Sequence, residues 1–411
     1  MRTVYSILVN IAWFILKLIA NFNPKIKLFV NGRKDVFTTL KKSISKDDKV
    51  IWMHVASLGE YEQGLPILEE LKTTYPKHKI ALTFFSPSGY EIKKNTTTAD
   101  IVTYLPLDTK TNASKFIQLV QPEMALFIKY EIWPNYLNEL KEKEIPGYLI
   151  AAKFSIKQVY FKWYGSFMKK SLSVFNHIFV QDNNSKKLLN ELNFDNVSVS
   201  GDTRFDRVAE ISKRDNTLAF MERFKNDAFC FVAGSSWPED ERILVDFINK
   251  SDKKIKYVIA PHNIKATHIS NLKASLSKKV VLYSQLKDKD PSGYDVLLID
   301  TIGLLTKIYS YANIAYVGGA FKTGLHNTLE PAIFGLPIII GPNYKGFKEA
   351  EDLVNKKGIF PIRDKESFFK LLSNLLEDQN NSITIGKINS NYINTKMGAT
   401  NKIMTYLKEN L

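Results

Sequence analysis

The chain has 411 residues, enough for two domains of ordinary size, and 45% of them are hydrophobic, as in globular proteins. Its formal net charge of +15 predicts an anionic partner, such as nucleic acid, an acidic membrane surface or a phosphorylated substrate. A solvated lysine-rich surface would give the same charge. Because no zinc-finger, helix-turn-helix or RNA-recognition pattern accompanies the charge, we expect no nucleic-acid partner.

Cysteine and histidine usage argues against disulfides and metals. The single cysteine, Cys230, excludes a disulfide framework and fits a reducing compartment. The histidines show no HExxH or paired-ligand spacing. The only Asp-x-Asp pair, Asp288 and Asp290, lies in a lysine-rich loop and is interpreted as solvated charge. The sequence therefore predicts no metal and no cofactor.

The first predicted element is an apolar segment over residues 4–20, which is close to the shortest length that crosses a bilayer. No small-residue cleavage site follows it, which disfavours a signal peptide. The cations that follow are Lys25, Lys27, Arg33 and Lys34. They would keep the rest of the chain cytoplasmic if the segment spans, or contact anionic headgroups if it lies flat. We predict a membrane anchor over residues 1–34, with a buried core helix as the alternative.

From Lys49 onward, apolar runs alternate with amphipathic segments, which predicts a parallel sheet covered by helices on both faces. Strands are predicted at 50–55, 80–85, 101–105, 124–128, 147–150, 177–180 and 197–200. Helices are predicted at 60–74, 111–120, 134–143, 157–171 and 183–192. This half is the predicted N-terminal domain, residues 35–205.

A polar, charged stretch over 201–216 marks the domain boundary, and the pattern then restarts in a C-terminal domain, residues 206–411. Its strands are predicted near 229–233, 257–260, 280–283, 296–299, 312–317, 338–340 and 358–361. A last helical stretch, 388–410, interrupted near Gly398, could cross back onto the first half. We expect an α/β protein in which two doubly wound, Rossmann-like domains face each other across a cleft at the carboxyl ends of their strands.

One strand-loop-helix unit in the second half has the features of a ligand-binding loop. Its apolar run 314–317 ends at two glycines, and residues with capping side chains precede a helix predicted to start near Leu329. A helix start at the carboxyl end of a parallel strand suits a phosphate, and Glu330 could accept from sugar hydroxyls. The alternative is an ordinary strand-helix unit with a tight turn.

A second candidate lies in the first half, where the stretch 52–64 runs from a strand into a helix. Glu60 falls at the helix start, at the expected mouth of the cleft. A carboxylate there can be a favourable helix-terminal charge and nothing more. It can also act as a general base if it lies within hydrogen-bond reach of an acceptor hydroxyl.

Six motifs that follow the N-terminal segment resemble, in this order, the 3-deoxy-D-manno-octulosonic acid (Kdo) transferases of lipid A biosynthesis. They are HVASLGE at 54–60, KYEIWPN at 129–135, GDTRFD at 201–206, AGSSWPEDE at 233–241, DTIG at 300–303 and GLHNTLEPAIFGLPIIIGP at 324–342. The resemblance implies a GT-B glycosyltransferase that moves Kdo from CMP-Kdo onto lipid IVA with inversion. It also implies a membrane-associated enzyme at the cytoplasmic side of the inner membrane.

The resemblance also implies roles for individual residues. Glu60 stands at the position of the proton acceptor, and Glu131 and Arg204 stand at positions of transition-state stabilisers. Arg204 is a departure, since the family commonly has lysine there. Helix capping by Glu131 and an ordinary surface position for Arg204 are the alternatives.

For the nucleotide, the resemblance implies contacts from several loops of the second half. The positions are Pro261, His262, Ile302, Gly303, Leu304, Asn327, Thr328, Leu329 and Glu330. The arginine that relatives carry beside His262 is absent, and Leu304 replaces a frequent acidic residue. Two other functions stay open: a different two-domain enzyme, such as a UDP-sugar transferase or a sugar-nucleotide epimerase, and a catalytically silent membrane-surface module.

Overall fold

The protein is described here by a computed structural model that covers residues 2–322 and 324–410, without the side chains of Arg2 and Asp288. The chain divides into two compact units. The first comprises Met1–Arg207 and Met397–Leu411, and the second comprises Val208–Lys396. Among the described residues, each unit contains one seven-stranded sheet. The strand pairings are parallel, as the alternating pattern predicts.

The strands of the first unit are β1 (Val50–Val55), β2 (Lys79–Phe84), β3 (Ile101–Tyr104), β4 (Pro122–Ile128), β5 (Gly147–Ala152), β6 (His177–Val180) and β7 (Val197–Val199). Those of the second are β8 (Phe229–Ser236), β9 (Ile255–Pro261), β10 (Val280–Leu282), β11 (Val296–Leu298), β12 (Ile314–Val317), β13 (Ile338–Ile340) and β14 (Ile359–Pro361). Each corresponds to a strand predicted from the sequence, so those predictions are confirmed.

The helices up to the unit boundary are α1 (Arg2–Ile19), α2 (Pro24–Asn31), α3 (Val36–Ser43), α4 (Leu58–Thr74), α5 (Pro87–Lys93), α6 (Lys110–Val120), α7 (Pro134–Glu142), α8 (Ser166–Leu172), α9 (Asn183–Asn190) and α10 (Thr203–Lys213). Those that follow are α11 (Ala219–Lys225), α12 (Pro238–Lys250), α13 (Ala266–Ser275), α14 (Leu305–Tyr309), α15 (Leu329–Ile333), α16 (Lys348–Asn355), α17 (Lys365–Glu377), α18 (Gln379–Asn394) and α19 (Ala399–Glu409). Short 3₁₀ turns lie at Val159–Phe161, Tyr283–Asp288 and Pro291–Gly293.

Strand order defines one topological switch point in each sheet. The first sheet runs β3-β2-β1-β4-β5-β6-β7, so the chain builds outward from β1 and returns to β1's other side with β4. The second runs β10-β11-β9-β8-β12-β13-β14, and its reversal lies between β8 and β12. In open parallel sheets, ligands bind at the carboxyl ends of the strands beside such a reversal.

Both faces of the first sheet are buried, which explains its nearly continuous apolar runs. Along β1, Val50 and Trp52 pack in a layer with residues of α6, α7 and α8. The alternate residues Ile51, Met53 and Val55 pack in the opposite layer with residues of α4 and α19. Side chains alternate along a strand, so α7 and α8 lie on the other face from α4 and α19.

The last helix belongs to the first unit. Gly398, with φ +106°, precedes α19. The Asp206 carboxylate accepts hydrogen bonds from the Gly398 N–H (2.6 Å), the Thr400 N–H (2.7 Å) and the Thr400 hydroxyl (2.8 Å). These bonds satisfy donors that a helix start leaves unpaired, and they fix α19 to the GDTRFD motif.

The single helix predicted over 157–171 is wrong. The stretch forms the 3₁₀ turn Val159–Phe161, an irregular segment and the short helix α8. Gly165 lies so close to the Val159 carbonyl that a Cβ atom would not fit between them. This close approach reverses the chain before α8, and it leaves Trp163 94% exposed and Tyr164 57% exposed.

The apolar N-terminal segment forms α1, and no described helix is both long and apolar enough to cross a membrane. One side of α1 packs on the first unit: the Tyr5 hydroxyl donates to Asp108 (2.9 Å), and the Trp13 and Phe29 rings lie 6.4 Å apart. The opposite side exposes large apolar side chains at helical spacing. They are Val4, Ile7, Leu8, Ile11, Phe14, Ile15, Leu18 and Ile19, each between 39% and 64% exposed.

Arg33 does not belong with the lysines that we expected to face lipid headgroups. It is buried, and its guanidinium donates to the carbonyls of Phe29 (2.9 Å), Phe85 (2.7 Å) and Leu105 (2.9 Å). The guanidinium also lies 3.7 Å from the centre of the Phe29 ring. Burial lowers the pKa of Arg33 to about 9. This arginine joins α2 to the ends of β2 and β3.

Candidate active site

Glu60 lies where β1 passes into α4, beside the switch point of the first sheet. It occupies the first turn of α4, and its carboxylate accepts a hydrogen bond of 2.5 Å from the Ala56 N–H. Burial, together with the negative charge of Glu131, raises the pKa of Glu60 to about 7; the Ala56 N–H and Lys129 act in the opposite direction. A carboxylate that exchanges its proton near neutral pH is suited to general acid-base chemistry.

Glu131 follows β4, the strand on the other side of the same switch point. Its loop begins at Lys129, which has a left-handed backbone with φ +70°. The Glu131 oxygen Oε2 accepts from the Trp133 indole N–H at 2.9 Å and lies 3.1 Å from the His54 Nε2 atom. Its side chain is 11% exposed. Two side-chain partners on one oxygen fix the orientation of this carboxylate. A carboxylate that only capped a helix would need no such side-chain partners.

A buried polar chain reaches Glu131 from inside the sheet. His54 of β1 faces Thr83 of β2, and its Nδ1 atom lies 2.8 Å from the Thr83 hydroxyl. That hydroxyl also accepts a hydrogen bond of 2.8 Å from the Trp52 indole. Because a carboxylate oxygen accepts, we assign the hydrogen of the His54 ring to Nε2, which donates to Glu131. The Nδ1 atom then accepts from the Thr83 hydroxyl, whose contact with Nδ1 (2.8 Å) is shorter than its contact with the Met53 carbonyl (3.4 Å). Sequence reasoning gave His54 no role, although a histidine inside an apolar strand was a signal.

Arg204 lies in the first turn of α10 and forms an ion pair in which two of its nitrogens contact one oxygen of Asp202. Its Nε and Nη2 atoms lie 2.9 Å and 2.8 Å from the Asp202 oxygen Oδ2. Gln63 of α4 donates to the other oxygen of Asp202 at 2.9 Å. Since the Arg204 side chain is 38% exposed, its guanidinium is oriented and also accessible to a ligand.

Tyr130 lies among these charged groups. Burial is the largest cause that raises the pKa of the Tyr130 hydroxyl. The negative charges of Asp182, Glu60 and Asp202 raise this pKa further, and the positive charge of Arg204 lowers it. Glu60 and Glu131, which follow β1 and β4, therefore lie within electrostatic range of each other. Arg204, which follows β7, and Glu60 both lie within electrostatic range of Tyr130. Tyr130 itself, 40% exposed, was not singled out from the sequence.

In the second unit, three rings from three different strand ends stack on one another. Trp237 follows β8, His262 follows β9 and His326 follows β12. The His262 ring centre lies 4.6 Å from that of Trp237 and 4.6 Å from that of His326. The Trp237 indole N–H donates to the His326 Nε2 atom at 2.9 Å. Burial and the neighbouring His262 lower the pKa of His326 to about 4, so His326 is neutral at pH 7.

Asp240, in the first turn of α12, holds the loops beneath this stack. It accepts from the Trp237 N–H (2.8 Å), the Gly319 N–H (2.9 Å) and the Tyr316 hydroxyl (2.6 Å). Burial raises the pKa of Asp240 despite these donors. Gly318 passes so close to Ser235 and Asp240 that a Cβ atom would not fit. The positions of the β8 and β12 loops are therefore fixed relative to each other.

The remaining predicted nucleotide residues lie along the carboxyl edge of the second sheet. Pro261 ends β9, and Ile302, Gly303 and Leu304 follow β11; Gly303 has φ +98°, and Ile302 is 77% exposed. The β11 and β12 loops are linked, because the Glu330 carboxylate accepts from the Thr306 hydroxyl of α14 (2.8 Å) and the Asn327 amide (3.0 Å).

The predicted helix start at 326–328 is confirmed in position, but only one of its side chains acts as expected. The Asn327 side-chain oxygen accepts from the Leu329 N–H at 3.1 Å, which is a capping contact. Thr328 is buried, and its hydroxyl has no hydrogen-bond partner. A search of residues 2–322 and 324–410 finds no group of three or more His, Cys, Asp and Glu that could hold a metal ion.

The fold is similar to that of solved two-sheet proteins. A UDP-GlcNAc 2-epimerase from Neisseria meningitidis matches with a TM-score of 0.63 and 16% identity, covering 88% of this chain and 100% of that one. MurG from Acinetobacter baumannii matches with a TM-score of 0.54 and 10% identity, covering 88% and 99%. At these identities the likeness concerns the fold alone. The protein therefore belongs to the architectural class of α/β proteins built from two parallel sheets.

Sequence relatives identify the family. Residues 32–207 match the family model described as 3-deoxy-D-manno-octulosonic-acid transferase (kdotransferase). The 3-deoxy-D-manno-octulosonic acid transferase of Aquifex aeolicus is 30% identical over 344 residues, 82% of this chain and 88% of the relative. A bifunctional glycosyltransferase/methyltransferase of Fusobacterium nucleatum is 26% identical over 94% of this chain, which spans 60% of that longer relative. The chain belongs to the 3-deoxy-D-manno-octulosonic acid transferase family of glycosyltransferases.

Proposed function

We propose that this protein transfers Kdo from CMP-Kdo to a hydroxyl group of lipid IVA, with inversion at the anomeric carbon. Family membership supports the transfer of Kdo. The observation that carries the mechanism is the carboxylate of Glu60, fixed at the carboxyl end of β1 with a pKa of about 7.

In the proposed reaction, the acceptor hydroxyl attacks the anomeric carbon while the carboxylate of Glu60 takes its proton. The bond between the anomeric carbon and the CMP phosphate oxygen breaks, and CMP leaves with the electron pair from the opposite face. A sugar hydroxyl is far too weak an acid to ionise by itself at neutral pH, so a base must accept the proton as the new bond forms. Glu60 afterwards releases that proton to water.

Glu131 and Arg204 act on charge in this proposal. The negative charge of Glu131 raises the proton affinity of Glu60 and thereby makes it a stronger base. The Arg204 guanidinium, oriented by Asp202, stabilises negative charge on the departing phosphate or on the Kdo carboxylate. CMP already carries a good leaving group, so orientation and charge neutralisation supply most of the effect.

We further propose that CMP binds to the second unit through the residues expected from the sequence. They are Pro261, His262, Ile302, Gly303, Leu304, Asn327, Thr328, Leu329 and Glu330. The positive φ of Gly303 and the unpartnered hydroxyl of buried Thr328 support this assignment. Glu330 belongs to the same loop, where its carboxylate accepts from Thr306 and Asn327, and a carboxylate is the type of acceptor that ribose hydroxyls donate to.

We propose that the enzyme works at the cytoplasmic side of the inner membrane, with α1 lying in the membrane interface. The row of exposed apolar residues along α1 supports this location, since a continuous exposed apolar face is unusual on a protein surface that contacts water alone. Both the lipid acceptor and the net charge of +15 fit an anionic membrane partner.

The proposal is tested with the full chain, CMP-Kdo and lipid IVA in detergent micelles, with products identified by mass spectrometry. We expect the acceptor to gain the mass of Kdo and CMP to be released. CMP, and not UDP, should raise the melting temperature, because a ligand at 100 times its Kd stabilises by about 2.7 kcal/mol. Stabilisation by UDP alone would indicate a UDP-sugar enzyme, and vesicle binding without CMP release would indicate a silent membrane module.

A further inference from the structure

A surface pocket of about 450 Å³ lies between α7 and α8 in the first unit. Its walls combine apolar side chains of Phe167 and Val174 with the polar side chains of Ser166 and Ser171. Lys141 of α7 and Lys170 of α8 complete the lining, and both lysines are exposed. Such a pocket has the composition that suits a phosphate group attached to an apolar molecule. Neither the sequence motifs nor the family resemblance assigned it a role.

The pocket adjoins helix α1. The ring of Phe167, which lines the pocket, lies 5.6 Å from the ring of Tyr5 in α1. At the start of α7, next to the lining residue Pro134, the Asn135 amide donates to the Ser6 hydroxyl of α1 at 3.3 Å. The packed side of α1 therefore borders the pocket, while its other side carries the exposed apolar row.

The segment that leads into α8 has the composition of a membrane-interface element. Trp163 and Tyr164, 94% and 57% exposed, directly precede the reversal at Gly165. Tryptophan and tyrosine are enriched where bilayers meet water. The segment 153–181 contains lysines but neither aspartate nor glutamate. α7 itself carries two carboxylates beside lining residues: Glu139, which is buried, and Glu142, which accepts the amide of the lining residue Asn138.

We infer that the pocket between α7 and α8 binds the phosphate-bearing headgroup of an anionic lipid while α1 and the Trp163 loop contact the bilayer surface. Lys141 and Lys170 pair with the phosphate, and Phe167 and Val174 contact the apolar part of the headgroup region. The site would hold the enzyme at a defined orientation on the membrane. This inference rests on the proposed membrane association and not on the role of Glu60.

The test compares the full chain with the double variant Lys141→Ala/Lys170→Ala. Binding is measured by sedimentation with vesicles of phosphatidylcholine, and with vesicles in which a quarter of the lipid is phosphatidylglycerol. The matched control, Lys402→Ala/Lys408→Ala, removes two exposed lysines of α19 on the opposite face of the first sheet. Thermal melts of all three proteins establish that they are folded.

We expect tight binding of the wild type only to the vesicles with phosphatidylglycerol. Each lysine at an anionic surface contributes about a fivefold factor, so the pocket variant should bind about 30-fold more weakly, and the α19 control much less so. Equal weakening of both variants would mean general attraction and would overturn the pocket. Displacement by low millimolar inorganic phosphate at constant ionic strength would indicate a free-phosphate site instead. Failure of the wild type to bind would refute the membrane association itself, independently of any test of Kdo transfer.

Discussion

Replacing Glu60 with glutamine should remove a pH dependence from the stability of the first unit. Burial and Glu131 raise the pKa of Glu60 from an ordinary 4.5 to about 7. Between these two values the folded state binds more protons than the unfolded state, so stability falls as pH rises through this window. The stabilisation is fully present below pH 4.5 and is lost above pH 7. Glutamine has nearly the same shape and does not titrate.

The pKa difference sets the magnitude. Integrating the difference in bound protons between pH 5 and pH 8 gives roughly 2 to 3 kcal/mol for the wild type and nothing for the variant. Glu60→Gln should therefore gain that much stability relative to the wild type over this range. For a unit of this size, the gain corresponds to a relative shift in melting temperature of about 5 to 10 °C.

Urea unfolding at a series of pH values measures this effect, and tryptophan fluorescence reports mainly on the first unit, because Trp237 is the only tryptophan outside it. The matched control is Glu70→Gln, which removes an exposed carboxylate from the same helix, α4, in the first unit. If the stability difference between Glu60→Gln and the wild type stayed constant from pH 5 to pH 8, the carboxylate would have an ordinary pKa. The case for a near-neutral base would then fail.

The other predictions concern the rate, the orientation of Glu131 and the loops of the second unit. The kcat/KM for transfer should rise about tenfold per pH unit below pH 7 and level off above it, because only ionised Glu60 accepts a proton. A kcat/KM that does not change from pH 5 to pH 8 would contradict this role. His54→Phe should lower kcat by about 10- to 100-fold with little change in KM, since it removes one of the two donors that orient Glu131 and leaves only the Trp133 indole. Steady-state kinetics measure this, and an unchanged kcat would mean that His54 contributes packing alone. Asp240→Ala should destabilise the second unit by at least about 3 kcal/mol, because three donors, including the Tyr316 hydroxyl, lose a buried acceptor. Asp240→Asn, which keeps one acceptor oxygen, should destabilise it less. Equal melting temperatures of the wild type and the two variants would contradict this prediction.

The strands could be predicted because parallel sheets bury both faces, so each strand appears in the sequence as a short apolar run bounded by polar turns. The segment 157–171 shows where this reasoning stops. Its apolar and aromatic residues resemble a helix, but the close approach of Gly165 to Val159 breaks it. The contact belongs to a local backbone turn, in which the Lys162 N–H donates to the Val159 carbonyl and the Gly165 N–H to the Lys162 carbonyl. A pattern of apolar side chains does not indicate such a turn.

Arg33 shows a similar limit for charge. Its sequence position beside an apolar segment is typical of a headgroup contact, yet three backbone carbonyls and the Phe29 ring hold it inside the first unit. Carbonyls left without partners at the ends of strands can accept from a buried arginine. Nothing in the local sequence indicates which carbonyls those are.

In the candidate site, the sequence located single residues but not their partners. Glu60 and Glu131 could be placed after two strands, whereas the approach of His54 to Thr83 depends on the register between β1 and β2. The stack of Trp237, His262 and His326 depends on strand order, because the strands before these residues become neighbours only in the folded sheet. The roles of Glu60, Glu131 and Arg204 in catalysis stay predictions until kinetics test them.

The most direct test of the mechanism is transfer by Glu60→Gln with saturating CMP-Kdo and lipid IVA, measured beside CMP binding by the same protein. Glutamine keeps the shape of the side chain and cannot accept the proton, so we expect transfer to fall by about 100-fold or more while the Kd for CMP stays within about twofold of the wild type. Transfer at near wild-type rates by a folded, CMP-binding Glu60→Gln protein would show that another group is the base.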